Sequence, residues 1–170
     1  MKNKYIACLL PIVAFLSACS STKSIPEDDQ LFTGVENINY VTDKKDSHFA
    51  STKEEIDAAL ATAPNGAIFG SGIRSPFPIG LWVWNEFTGK DDAFSRWMLK
   101  SFGSNPVLMS WVNPGLRAKV AKLVLQAHGY FRGNVEYEVL KQGNPKKAKI
   151  RYDVQTGPLF TIDSLRYVGF

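Results

Sequence analysis

Residues 125–139, LQAHGYFRGNVEYEV, change period within a few positions: a helical repeat of apolar residues stops at Gly129, and strict alternation starts at Val135. A helix repeats every 3.6 residues and a strand every 2, so the chain needs a break between the two patterns. Gly129 supplies it, because glycine enters the left-handed conformation that ends a helix without steric cost. Upstream, Asn113 as cap and Pro114 at the first helical position start this helix. Leu116, Val120, Leu123, Val124 and Ala127 recur at its period and are expected to face the core, with Arg117, Lys119 and Lys122 outward. Tyr130 or Phe131 is expected to fold back on the last turn as the apolar contact of the cap.

Downstream, Val135, Tyr137 and Val139 alternate with Glu136 and Glu138, and after Gln142-Gly143-Asn144-Pro145 the residues Ala148, Ile150, Tyr152 and Val154 alternate with Lys149, Arg151 and Asp153. This predicts an antiparallel hairpin, buried on one face and charged on the other, with cross-strand pairs between the two charged sets. A last strand-like run, 159–168, follows Gly157-Pro158.

Ahead of the break, Val35 to Val41 predicts a short strand with Ile38 and Tyr40 on one side and Asn37 and Asn39 on the other. Ser51-Thr52-Lys53-Glu54 has the capping-box spacing, and Ile56, Ala59, Leu60 and Ala63 then predict a helix of about three turns ended by Pro64-Asn65-Gly66. Residues 67–90, AIFGSGIRSPFPIGLWVWNEFTGK, hold no regular period. Asp91 and Asp92 open another short helix with Phe94, Trp97, Met98 and Phe102 on one face, closed by Gly103. The fold class expected is α+β: strand, helix, aromatic-rich insert, helix, hairpin.

The N-terminus fixes the compartment. Lys2 and Lys4 precede an apolar run, Ile6 to Leu16, that has the length of a signal-peptide core and is too short to span a bilayer. Leu16-Ser17-Ala18-Cys19 resembles the lipobox of bacterial lipoproteins, which implies removal of residues 1–18 and attachment of lipid to Cys19; an ordinary secretory signal followed by a chance cysteine is the competing reading. Cys8 then leaves with the signal and Cys19 is blocked, so neither a disulfide nor a free thiol remains for catalysis or metal binding. Loss of Lys2 and Lys4 lowers the formal charge from +4 to +2, which is no nucleic-acid footprint. Residues 19–30, small, polar and charged after the cysteine, are expected to tether the lipid to a folded domain.

The order helix, Gly129-Tyr130-Phe131, then Val135 to Val139 in the form V-x-Y-x-V resembles a POTRA domain of the BamA/TamA superfamily of outer-membrane assembly proteins. Cys19 with Thr22 to Glu27, and Pro76-Phe77-Pro78-Ile79-Gly80-Leu81-Trp82-Val83-Trp84-Asn85, are similar to the TamA-like lipoproteins (TamL) of Bacteroidota. The resemblance implies a POTRA-like β-α-α-β-β domain over 31–158 with an insert between the helices. It also implies that 159–170 is the first strand of a truncated second such domain, and that a C-terminal β-barrel belongs to the full-length protein.

A small sheet with helices on one face leaves strand edges open, and an unfolded outer-membrane protein can pair with such an edge without a demand on sequence. The expected binding edge is Val135, Glu136, Tyr137, Glu138, Val139 and Leu140; a hairpin that packs the helices and binds nothing is the competing reading. Phe77, Trp82 and Trp84 are candidates for contact with a partner or the membrane, and equally for packing within the domain. No catalytic, metal or cofactor set is expected: His48 lies in a polar stretch, His128 suits the negative end of a helix, and Gly70-Ser71-Gly72 fits neither a nucleophile elbow nor a phosphate loop. The chain is thus expected to be a non-enzymatic part of an outer-membrane assembly or translocation lipoprotein, lipid-anchored and facing the periplasm, whose partners are unfolded outer-membrane proteins or a periplasmic protein. The alternative is a stand-alone surface or periplasmic lipoprotein that binds a partner or glycan through its aromatic insert.

Overall fold

The computed structural model describes residues 22–66, 78–166 and Val168. Its elements are β1 (Leu31–Val41), α1 (Ser47–Leu60), α2 (Ile79–Phe87), α3 (Ala93–Phe102), α4 (Met109–Val112), α5 (Pro114–Ala127), β2 (Asn134–Lys141) and β3 (Lys147–Gln155). This is an α+β domain. The three strands form one mixed sheet in the order β1-β3-β2, with β3 parallel to β1 and antiparallel to β2.

The hairpin forms as its alternation predicts: Ala148, Ile150, Tyr152 and Val154 are buried while Lys149, Arg151 and Asp153 stay half-exposed. Glu138 sits across from Arg151 and pairs with it, but Glu136 sits across from Asp153, so only one of the expected cross-strand charge pairs is favourable. Asn39 offsets the other, donating its amide to Asp153 at 2.7 Å. β1 starts four residues earlier than the alternation suggests. Leu31 and Phe32 pair with Lys147 and Ala148 on β3, and Phe32 also donates its amide to the Val107 carbonyl at 2.8 Å.

Asp46 caps α1, accepting from the Phe49 amide at 2.9 Å, so the Ser51–Glu54 capping-box spacing lies inside the helix and starts nothing. Asn113 caps α5 from the left-handed region, φ 47°, and accepts from the Leu116 amide at 3.2 Å. Of the expected core face of α5 only Val124 packs against the core; the rest is overturned, Ala127 being exposed as well. The buried residues are Pro114, Ala118, Ala121 and Leu125, whereas Leu116, Val120 and Leu123 are exposed. At 3.6 residues per turn the two stripes lie almost diametrically opposite. Alanines let the helix axis come close to the sheet and to α1, which leucines would hold off. The expected basic face is broken up as well. Arg117 turns to the domain and caps carbonyls at the end of α1, with Nη1 3.2 Å from the Ala59 oxygen and 3.0 Å from that of Ala61.

Gly129 takes φ +85°, and a Cβ there would lie 2.9 Å from the Phe160 carbonyl oxygen. Glycine is therefore required twice, for the helix stop and for the return of the chain after β3, where the Phe160 amide donates to Gly129 at 3.0 Å. Tyr130 closes into the core; Phe131 instead meets Phe160 edge-to-face, ring centres 5.7 Å apart. Gly103 ends α3 in an extended conformation, and a Cβ there would be 2.6 Å from the Leu99 carbonyl. Of the run 159–168, expected as a strand, the described residues 159–166 form none. A strand is defined by a ladder partner, and alternation alone does not supply one.

The core joins Phe32, Ile56, Leu60, Ala121, Leu125, Tyr130, Ile150 and Tyr152 between the sheet and the α1/α5 layer. The Tyr152 hydroxyl is buried without a hydrogen-bond partner among the described residues, and burial pushes the phenol up to about 12. A raised folded value means that the stability this neutral phenol contributes is intact below pH 10 and is lost as pH climbs through about 12, because the unfolded chain releases its proton first. Urea titrations at rising pH are expected to show a loss of about 2 kcal/mol that Tyr152→Phe removes.

Candidate binding surface

Among the described residues both outer strands of the three-stranded sheet have a side without a ladder strand, but the two edges differ. β1 is irregular: its register shifts between Phe32 and Val35 and again between Val35 and Asn37, and residues 107–109 cover its start through the Phe32 amide and the Leu31–Leu108 bridge. Bulges and covered ends blunt an edge against strand addition. β2 pairs with β3 over eight consecutive residues without a shift. It is the regular edge.

The direction of its backbone groups follows from one hydrogen bond. The Gln142 amide donates to the Lys147 carbonyl at 3.0 Å, which makes Gln142–Lys147 a hydrogen-bonded pair. In an antiparallel ladder such pairs alternate with pairs whose amides and carbonyls point away. Glu136, Glu138 and Leu140 therefore bond to β3, and Val135, Tyr137 and Val139 present their N–H and C=O groups on the free side.

The side chains of these same residues lie on the helix face. Val135 is buried, Val139 half-buried, and Tyr137 nearly half-exposed with its ring over Gly115 at the start of α5. Two open recesses flank β2 here. One lies between β2 and α5, lined by Leu116, Lys119, Lys122, Asn134 and Tyr137. The other continues towards Lys141, where Tyr137 and Val139 meet Asp29, Ser110 and Lys146. A strand laid beside β2 would thus find backbone partners at every second residue and a mixed apolar and polar trough for the side chains between them. On the opposite face Glu136 and Glu138 are exposed, a charged border that limits unspecific sheet stacking.

The other candidates are scattered. Cys19 and Phe77 lie outside the described residues, as does Gly70-Ser71-Gly72. Trp82 and Trp84 are half-buried on α2, a helix that the irregular period of 67–90 concealed. Of the two helices α2 and α3, it is α3 that exposes its aromatics, Phe94, Trp97 and Phe102, whose shared face the sequence had suggested. Residues 24–30, expected as tether, pack on the domain: Ile25 is buried with Leu31, Leu81 and Leu108, Ser24 hydrogen-bonds Asn85, and Lys146 donates to the Ile25 and Pro26 carbonyls at 3.1 and 2.7 Å. His128 stands at the C-cap of α5, its ring nitrogen 3.1 Å from Glu55, and His48 meets the His128 carbonyl at 2.9 Å. Among the described residues no cluster of three or more His, Cys, Asp or Glu is placed to hold a metal, and no helix is long and apolar enough to cross a membrane.

Asn65 is the structural residue that sequence reading missed. It is buried, and its side chain joins the residue after the first helical run to the segment after α3, donating to Ser104 at 3.1 Å and to the Asn105 carbonyl at 2.6 Å and accepting from the Val107 amide. Pro-Asn-Gly reads locally as a turn, and nothing in the local pattern points 40 residues away.

No protein-family model, curated protein or solved structure matches this chain. The class defined by fold and surface is an α+β domain with one regular open strand edge beside a helix-lined trough.

Proposed function

We propose that this chain is the lipid-anchored N-terminal part of an outer-membrane assembly or translocation protein of the BamA/TamA type. Its POTRA-like domain faces the periplasm and receives client polypeptides, or a partner protein, as an added strand on β2. A C-terminal β-barrel belongs to the full-length protein on this reading. The observation that carries it is the contrast between the two edges: β1 is bulged and partly covered, while β2 is regular and lies beside a trough. Main-chain pairing gives affinity with little demand on sequence, which suits a receptor for many amphipathic strands.

A photo-crosslinking residue placed at Lys119, beside the trough, provides the test, with a urea-unfolded β-barrel protein diluted in as probe. Val139→Pro removes an outward N–H from the middle of β2 and is expected to cut the crosslinked yield about tenfold. Because Val139 bonds away from β3, the variant should still unfold cooperatively. Undiminished crosslinking by a folded Val139→Pro protein would refute docking at β2.

A further inference from the structure

We propose that the α2–α3 hairpin rests on the bilayer that anchors the chain, with Phe94, Trp97 and Phe102 seated in the interfacial layer of the phospholipids; this rests on the lipid-anchor part of the function proposed above. The aromatic rings form a continuous ladder. Phe87 meets Phe94 at 5.9 Å between centres, Phe94 meets Trp97 at 6.0 Å, and Trp97 meets Phe102 at 5.9 Å. Phe94 is 59 % exposed, and Trp97 and Phe102 are each 54 % exposed, so the ladder covers no core. A contiguous aromatic surface of this kind marks a binding site for something apolar.

The occupant follows from where the anchor enters. Ser24 hydrogen-bonds Asn85 on α2, and Ile25 is buried with Leu81 of the same helix. Five residue steps separate Ser24 from the acylated Cys19, which at full extension span about 18 Å. Acylation therefore holds α2 closer to the head groups than the thickness of a small protein domain, leaving a folded partner little room between them. The composition agrees with an interfacial seat: Trp and Phe occupy one flank of α3, and Arg96 and Lys100 leave from the other, where they stay in water.

Charge has a small part in it. The α2–α3 segment carries Lys90, Arg96 and Lys100 against Glu86, Asp91 and Asp92, so apolar insertion has to supply the attraction and salt should alter it little.

The test uses the mature, acylated chain in vesicles of phosphatidylethanolamine and phosphatidylglycerol with brominated acyl chains. Cys19 is blocked by lipid, so a cysteine introduced for an environment-sensitive fluorophore is unique. Ser101→Cys places the probe on the aromatic flank of α3, and Gln155→Cys places it at the opposite end of the sheet. Quenching at 101 is expected to exceed that at 155 by about threefold or more, to persist in high salt, and to vanish when Phe94→Ser, Trp97→Ser and Phe102→Ser are combined. Equal quenching at both sites, or quenching that survives the triple substitution, with the acyl mass confirmed on Cys19, would overturn the docking and leave the anchor standing. A protein whose Cys19 carries no acyl mass and which washes off the vesicles would overturn the anchor and the docking together.

Discussion

Leu125→Asp is expected to leave the chain unfolded in dilute buffer, whereas Leu123→Asp, two residues earlier on the same helix, is expected to fold with its stability changed by no more than about 0.5 kcal/mol. Leu125 is fully buried against the sheet, and Leu123 is 63 % exposed. The first substitution removes a core side chain and strands a carboxylate in the apolar core; together these cost about 4 kcal/mol or more, a large part of the stability of a domain this size. The second places a charge in water. Far-UV circular dichroism and urea titration of both variants measure the rotation of α5 directly. Equal destabilisation would mean that the helix turns its other stripe inward.

Asn65→Ala is expected to cost about 2–3 kcal/mol and to loosen the base of the insert before the sheet. The side chain makes two donor contacts and one acceptor contact across the junction of 62–66 with 104–107, and its loss deprives the Asn105 carbonyl and the Val107 amide of a partner. Hydrogen exchange separates this from a general loss of stability. The Val107 amide should exchange about 30-fold faster in the variant, while amides in the middle of β3 follow the global change alone. Val107 also receives the Phe32 amide on its carbonyl, so loosening there should spread to the start of β1. An unchanged unfolding midpoint would show that water substitutes for the asparagine.

The consequences for binding differ between the two sites. Leu125 supports α5 from beneath, so its loss removes the trough beside β2 altogether. Asn65 leaves that trough in place and acts on the segment that carries the aromatic ladder of α3. Variants at Asn65 therefore separate the proposed membrane seat from the proposed strand addition, since crosslinking at Lys119 should outlast the loss of probe quenching at Ser101.

Much of the domain was legible because short-range interactions specify it. The Asn113-Pro114 start, the Asp92 start of α3, the Gly129 stop and the alternation of β3 depend on contacts within about one turn or one strand residue, and each stands where local physics put it. The candidate edge 135–140 was legible for the same reason, as a strand with charged and apolar residues on alternate faces.

Its position at the rim of the sheet was expected as well, but the local pattern does not fix it. That depends on β3 pairing with β1, a partner more than 100 residues away in sequence, and on the bulges that spoil the rival edge. The face of α5 was undecidable locally because the helix carries two apolar stripes, one of leucine and valine and one of alanine with Leu125; the close approach to the sheet selected the smaller one. Periodicity reports which residues share a face, but only the volume left between packed elements decides which face goes in. Leu116, Val120 and Leu123 were left outside by that choice, and Leu116 became part of the trough beside β2.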